Sequence, residues 1–448
     1  MTAQYIIGID LGTTNSVLAY LSLEDDEATI ELLSIPQSVS AGTVDQRSSL
    51  PSFIYLPNPS ERGGGGFDLP WETDPPFVVG QLARDRGAEA PDRTIGAAKS
   101  WLCHTGVDRR QPILPWNAPD EVDKISPVTA SKRYLQHLAE AWDHRFPDAP
   151  IGDQQVVLTV PASFDPVARE LTREAAIAAG LPPEFVLLEE PQAALYAWLS
   201  AMGDQWRKRL HVGQRVLVCD VGGGTTDLTL ISVDEESGDL TLRREAVGDH
   251  LLVGGDNMDL AMAHHVATEF AKQKTRLNPW QSVSLWHSCR AAKEALLATD
   301  GSQKQTISVL GRGSKLIGGT VSVDVDRESI AGLLLDGFLP RCNIDDQPER
   351  QPASGFQEIG LPFESDPGSR GTLPHSCRIT ASTINRTKCD CPIMSCSMAA
   401  FSRRRAFDRD YWRSLTDGPP AMPQRRSSHW KVPTTWTMRS RAGPATTD

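Results

Sequence analysis

The sequence predicts an α/β fold of two lobes built to one plan, gripping a phosphate chain between them. Two observations carry this. The first is Asp220-Val-Gly-Gly-Gly-Thr-Thr-Asp227, entered by the apolar run Val216–Cys219 and left by Leu228–Ile231, both of which read as strands. The second is a similar unit at the N-terminus: the strand Tyr5–Ile9, the turn Asp10-Leu-Gly-Thr-Thr-Asn15 and a second strand over Ser16–Leu21. Glycine permits positive φ and presents bare N–H groups, and a nest of such groups suits a phosphate. Carboxylates beside a phosphate repel it unless a cation intervenes. Asp10, Asp220 and Asp227 therefore point to a Mg²⁺–nucleotide site in which they hold the metal's waters. One such turn alone reads as a tight hairpin with a capping Asp. Two copies with matching acidic and hydroxyl positions favour a phosphate held from both sides.

Composition narrows the class. The 448 residues suffice for two or three domains, and 40 % hydrophobic content is ordinary for a soluble chain. No apolar run approaches membrane-spanning length, and the N-terminus enters a strand without a basic start or cleavage site, so no membrane partner and a cytoplasmic location are expected. Eight scattered cysteines read as reduced thiols. The net charge of −12 is uneven: residues 368–448 hold 14 basic and five acidic side chains, leaving 31 basic and 52 acidic in 1–367. The body is acidic, which excludes nucleic acid as its partner.

In chain order, residues 5–34 read as a meander broken by the acidic turn Glu24–Glu27. Residues 36–76 are turn-rich, and Gly63–Gly66 lacks the flanking strand and helix of a phosphate loop. Phe77–Ala90 and Arg93–Cys103 read as helices. Pro127–Arg145 is a long helix by the spacing of Val128, Tyr134, Leu135, Leu138 and Trp142, with His137 and His144 expected in solvent. Gln155–Val160 is a near-continuous apolar strand. Asp165 caps a helix that starts with Pro166 and closes at Gly180. Phe185–Leu188 is a strand running into Glu189-Glu190-Pro191, with a helix over Gln192–Met202. A glutamate at a strand end beside a phosphate can accept a proton from water, and Glu189 should face the other way. Gly203–Gly213 is the crossing between lobes. Strands through Val233 and over Leu240–Val247 follow, and Gly254-Gly255-Asp256 opens a helix to Lys272, with Asp256 a candidate cap and the helix start a candidate anion site. Ser282–Leu297 is a helix, 305–310 and 316–325 a strand pair, and Arg327–Leu339 a helix.

Four segments occur in order: Ile7–Ser16, Val157-Leu-Thr-Val-Pro-Ala-Ser-Phe164, Glu189-Glu-Pro-Gln-Ala-Ala194 and Asp220–Asp227. Together they resemble the ATPase domain of the seventy-kilodalton heat-shock chaperones, the DnaK-like family, from residue 5 to about 340. The resemblance implies an actin-like (ribonuclease H-like) fold, ATP/ADP and Mg²⁺ as cofactors, and client polypeptides and co-chaperones as partners. It implies that Gly12, Thr13, Thr14, Asn15, Gly222, Gly223, Gly224, Thr225, Gly254 and Gly255 lie at the nucleotide. It gives Asp10, Asp220 and Asp227 to the metal, and Glu190 with Asp220 to catalysis. The family places a lysine after a Val-Gly-x-x-Ala pattern, at the γ-phosphate; here Val79–Ala83 is followed by Arg84, which keeps the charge but has a planar head and cannot donate a proton near neutral pH. Pro161 and Arg169 match positions that relay nucleotide state to a peptide-binding domain. The family clamps adenosine with Glu, Lys and Ser; Arg290, Lys293 and Leu297 stand there, and only Lys293 matches.

The expected division is 1–212 for the first lobe, 213–340 for an incomplete second lobe, and 341–448 for a linker and basic tail. No peptide-binding segment is recognisable in 341–448, and no hydrophobic periodicity persists there. Three readings stand for this tail. It is a basic extension for acidic partners, a metal module using His375, Cys377, Cys389, Cys391 and Cys396, or out-of-frame translation. The loss of Glu after Glu364, together with the loss of periodicity and resemblance, favours the last. Two rival functions remain open: a metabolite kinase of the actin-like superfamily, and a nucleotide sensor without turnover. Translating the DNA around codons 340–448 in three frames checks the tail. An apolar strand and glycine-rich loop in another frame marks it as out-of-frame, and their absence from every frame marks it as genuine.

Overall fold

The computed structural model describes residues 3–25, 29–104, 106–236, 239–248, 253–309, 321–338 and 393–398. It is an α/β structure with two central sheets. The first contains β1 (Tyr5–Leu11), β2 (Asn15–Ser22) and β3 (Glu31–Leu32). After β4 (Ile35–Ser40) and β5 (Thr43–Arg47), which pair only with each other, come β6 (Leu50–Pro51), on the open side of β2, and β7 (Ile54–Tyr55). β7 is flanked by β8 (Val78–Val79) and β9 (Thr94–Ile95) in a small three-stranded sheet. These short strands take up the ends of both expected helices in 77–103. Only α1 (Gln81–Arg86) and α2 (Ala98–Cys103) remain helical, because Val78–Val79 and Thr94–Ile95 give their backbone hydrogen bonds to β7. Gly80, at φ +99°, turns the chain from β8 into α1.

α3 (Pro127–Arg145) starts where Ser126 Oγ accepts the Thr129 N–H at 3.0 Å. It lays Tyr134, Leu135, Leu138 and Trp142 on Ile7, Ile9, Leu18 and Leu158 of the sheet, forming the main apolar core. His144 is exposed as expected, but His137 is buried. β4 crosses over it and the Pro36 carbonyl meets its Nε2 at 2.9 Å, so burial pushes its pKa down to about 4 and it is neutral at pH 7. β10 (Gln155–Val160) joins β1 in parallel, α4 (Pro166–Ala178) packs against α3, and β11 (Val186–Glu189) completes the order β11-β10-β1-β2-β3. The Asp165 cap is formed, its Oδ1 accepting the Ala168 N–H at 2.6 Å, and Gly180 ends the segment at φ +96°.

α5 (Glu190–Met202) follows β11 without a loop and buries Leu195 with Val216 and Val218 of the second sheet. After the short α6 (Trp206–Arg209) come β12 (Arg215–Val221), β13 (Thr226–Glu236) and β14 (Asp239–Val247). α7 (Gly255–Lys272), α8 (Pro279–Leu297), the hairpin of β15 (Lys304–Val309) and β16 (Val321–Asp326), and α9 (Arg327–Phe338) share a separate core around Met262, Val266, Phe270, Leu285 and Leu296. The last strand among the described residues, β17 (Ile393–Met398), lies in the stretch 341–448, where no sustained periodicity marks an element. It pairs in parallel with β12, Leu217 opposite Ile393 and Val221 opposite Met398. It does in the second sheet what β10 does in the first, so the order β17-β12-β13-β14 repeats β10-β1-β2-β3 with the same directions. Of the metal-module candidates only Cys396, in β17 opposite Cys219, falls within the described residues; His375, Cys377, Cys389, Cys391 and the rest of the tail lie outside them.

Arg109 is buried and forms a two-pronged pair with the capping Asp165, at 3.1 and 2.9 Å. Asp165→Ala removes a helix cap and strands a buried guanidinium. We expect a loss of about 2–4 kcal/mol of stability in chemical denaturation, where an exposed-helix control such as Glu170→Ala stays within about 0.5 kcal/mol.

Candidate functional site

The turn between β1 and β2 spans residues 12–14. A Cβ on Gly12 would lie 2.2 Å from the Asn15 carbonyl oxygen, so no other residue fits. Ser52 secures the turn from outside: its Oγ donates to the Gly12 carbonyl at 2.7 Å and its N–H to the Thr14 carbonyl at 2.9 Å. The turn between β12 and β13 is closed by the Gly222 N–H donating to the Thr225 carbonyl at 2.8 Å.

The two turns meet. A Cβ on Gly223 would sit 1.8 Å from Thr14 Oγ1, and one on Gly224 would sit 2.4 Å from Ser100 Oγ and 3.0 Å from Thr13 Cγ2. This corrects the reason for the glycines. Gly222, Gly223 and Gly224 lie outside the left-handed region, and what demands them is the approach of the opposite lobe. Gly254 has the same need, since a Cβ there would be 2.7 Å from the carbonyl oxygens of both Gly222 and Gly223. The N–H groups of Gly255 and Asp256 donate to those carbonyls at 3.1 and 2.6 Å. The start of α7 thus braces the glycine turn from behind instead of presenting those N–H groups to an anion.

Around this contact stand the acidic residues. Asp10 closes β1 and accepts from Thr159 Oγ1 at 2.8 Å. Asp227, buried at the start of β13, accepts from Ser163 Oγ and from Thr225 Oγ1. Glu190, the first residue of α5, meets Lys99 Nζ at 2.5 Å, with little of either side chain exposed. Burial raises the Glu190 carboxyl to about 8; Lys99 opposes this, while the charges of Asp10 and Asp220 reinforce it. Burial alone would lower Lys99, but Glu190, Asp10 and Asp220 together raise it. The two groups form one buried pair in which each favours the charged form of the other, and burial with the two neighbouring aspartates pushes the carboxyl the opposite way. Lys99 is the cation of the cleft that the sequence reading missed. The available signal was a lone cation inside Ala97-Ala98-Lys99-Ser100-Trp101-Leu102, where a buried ammonium needs carboxylates.

Three other residues are placed elsewhere. Arg84 does not join the group; its guanidinium pairs with Glu294 of α8, and nearby Ser284 Oγ donates to the Ala88 carbonyl at 2.5 Å. Lys293 is buried, its ammonium shared between Asp259 at 2.6 Å and the Gly255 carbonyl at 2.9 Å. Arg290 is buried against Asp256 at 2.5 Å and Asp259 at 2.8 Å, tying α8 to α7. Burial raises the Asp256 carboxyl to about 6 although Arg290 pulls the other way. Asp256 is therefore an ion-pair partner and not the helix cap, which is Gly254. Glu189 turns away from Glu190 and bridges Arg169 of α4, at 2.9 Å, and Arg244 of β14. Arg169 also donates to the Ala162 carbonyl at 3.1 Å and to the Pro161 carbonyl at 3.5 Å.

Among the described residues no three His, Cys, Asp or Glu side chains are close enough to ligate a metal directly. The carboxylates suit instead a hydrated cation. Burial raises the Glu190 carboxyl and the charges of Asp10 and Asp220 add to it, so the cleft holds a local excess of acid that a divalent ion would relieve.

Two abutting glycine turns between matched sheets, with an acid-rich cleft beside them, define an actin-like fold. The family profile described as Hsp70 protein matches residues 73–338, more than half the chain, and the chain belongs to that family. Similar curated proteins include the chaperone protein HscA of Pectobacterium carotovorum, 26 % identical over 68 % of this chain. Another is the chaperone protein HscA homolog of Burkholderia thailandensis, 30 % identical over 69 %. The alignment covers 44 % of the length of each, so the chain spans less than half of these relatives.

A carboxyl whose folded pKa lies above its unfolded value adds stability at low pH, which is lost as pH rises towards the folded value. For Glu190 that window runs from about 4.5 to about 8. Glu190→Gln mimics the protonated form. In nucleotide-free protein its melting temperature, relative to the parent, should climb steadily between pH 5 and pH 8; a constant difference would show that Glu190 is ionised throughout.

Proposed function

We propose that the chain is the ATPase part of an Hsp70-type chaperone, binding Mg²⁺–ATP between its lobes and hydrolysing it slowly to ADP and phosphate. The observation that carries this is the Glu190–Lys99 pair at 2.5 Å, set beside two abutting phosphate turns and influenced by Asp10 and Asp220. In this reading Gly12, Thr13, Thr14 and Asn15 hold the phosphates from one side, and Gly222, Gly223, Gly224 and Thr225 hold them from the other. Asp10, Asp220 and Asp227 hold the waters of Mg²⁺, which neutralises phosphate oxygens. Lys99 would place its ammonium at the terminal phosphate. Glu190, once ionised, orients a water and accepts its proton as the oxygen attacks phosphorus and the bond to ADP breaks. Arg84 and Lys293 have structural roles here, since both charges are neutralised by carboxylates of this chain.

Coupling to a client would pass through Glu189, which joins α4 to β14 through Arg169 and Arg244. Client polypeptides and co-chaperones are proposed from the chaperone relatives. One observation favours the sensor reading: Arg290 and Lys293, at the expected adenosine positions, are already paired with Asp256 and Asp259.

Phosphate release from purified chain tests the assignment. Glu190→Gln should lower turnover about 10²-fold with ATP binding retained, and Lys99→Ala should do so to a similar degree. Asp220→Ala should weaken Mg²⁺-dependent binding itself. Unfolded peptide should raise the rate and sugars should not. Tight ATP binding with no phosphate release would support the sensor, and an Asp220→Ala variant with intact binding and turnover would refute the whole site.

A further inference from the structure

One strand of the second sheet comes from far along the chain. β17 lies beside β12 in parallel, and their register starts with Leu217 opposite Ile393. It then shifts by one residue, so that Cys396, and not Ser395, stands opposite Cys219. Ser397 follows opposite Asp220, and Met398 opposite Val221. Two cysteines from distant parts of the sequence are therefore direct neighbours across two strands. Neighbouring strands run about 4.8 Å apart. Disulfides join residues whose Cα atoms are about 4.4–6.8 Å apart, so the pairing meets the distance such a bond needs. Residues at paired positions also share a face of the sheet.

The face matters for access. Val216 and Val218 are buried with Leu195 under α5. Alternation along β12 puts Cys219 on the other face, where it is half-buried and reduced. The other cysteines in the described part of the second lobe and in α2 are placed differently. Cys289 is fully buried in α8, and burial raises its thiol, which leaves it a poor nucleophile. Cys103 lies in α2, its thiol donating to the Lys99 carbonyl at 3.6 Å. Among the described residues, Cys219 and Cys396 are the cysteines that face each other in a strand register.

We propose that Cys219 and Cys396 are a modification site, at which a reversible disulfide fastens β17 to β12. The oxidant is a small disulfide of the oxidised glutathione kind. One cysteine thiolate attacks a sulfur of that disulfide, forming a mixed disulfide and expelling one small thiolate. The other cysteine thiolate attacks the protein sulfur of the mixed disulfide, closes the Cys219–Cys396 bond and expels the second small thiolate. The two protons given up by the cysteines go to the expelled thiolates. The protein loses two electrons and the small disulfide gains them. Excess small thiol runs both steps backwards. The bond closes a long loop, which removes conformational freedom from the unfolded chain, and it keeps the edge of β12 covered. It depends on the strand pairing and is independent of the ATPase reading.

The test uses the full chain, reduced and then equilibrated with oxidised glutathione. Remaining thiols are blocked with N-ethylmaleimide and the chain is cleaved after methionine, which isolates Cys219 in 203–258 and Cys396 in 395–398. Mass spectrometry of the monomer, separated by size, should find these two fragments joined, and dithiothreitol should part them. The oxidised chain should melt at least about 5 °C above the reduced one. Cys219→Ser and Cys396→Ser should each lose the joined fragments and the melting shift, and Cys103→Ser should keep both. Far-UV circular dichroism checks the fold of each variant, and the fragment map of the parent stands without them. Three results would overturn the site: 395–398 joined instead to the fragment carrying Cys389 and Cys391, the link found only between two copies, or Cys219 recovered only as its glutathione adduct.

Discussion

The two lobes meet where Gly223 approaches Thr14 so closely that a Cβ would collide with the threonine hydroxyl. Much else follows from it. The two sheets are matched in order and direction, so their first turns are delivered to the same place from opposite sides. Each turn is braced from outside its own sheet, the first by Ser52 and the second by the start of α7. The glycines do one job that no other residue can do here: they let another chain segment come within contact distance.

That approach also creates an electrostatic problem. Asp10, Asp220 and Glu190 come together around a single ammonium, and the fold handles the excess by raising the Glu190 carboxyl. Elsewhere charge is balanced within the chain. Arg290 and Lys293 are satisfied by Asp256 and Asp259 within the second lobe, while Arg84 and Glu294 pair across the lobes. Excess acid is concentrated in the cleft beside the two turns, and the surrounding helices are locked by pairs that are balanced within the chain.

Much of this was legible in the sequence. The turns at Asp10 and Asp220 announce themselves because glycine, hydroxyl and carboxylate must follow one another locally, and Glu190 stands at a strand-to-helix junction marked by Pro191. α3 and β10 match their expected bounds, because apolar spacing and capping are also local. What was missed depends on distant segments. Lys99 gains meaning only from Glu190, His137 is buried only because β4 crosses it, and Arg84 is held by Glu294. Lys293 is paired with Asp259 in the core of the second lobe, a partner that sequence spacing alone does not reveal. β17 carries too short a pattern, Ile393-Met-Ser-Cys-Ser-Met398, to stand out from its surroundings.

The position of β17 has a consequence for how the molecule is made. β10 follows β1 with only the first lobe's own elements between them, so that sheet is assembled from sequence delivered early by the ribosome. β12, in contrast, pairs with Ile393–Met398 after α7, α8, β15, β16 and α9 have all been synthesised. Such long-range parallel pairing forms slowly, since the entropy of closing the loop comes before any contact rewards it. During translation one edge of β12 therefore stays open until almost the whole chain has left the exit tunnel. The nascent second lobe passes through an interval in which an unpaired strand edge is exposed to other chains.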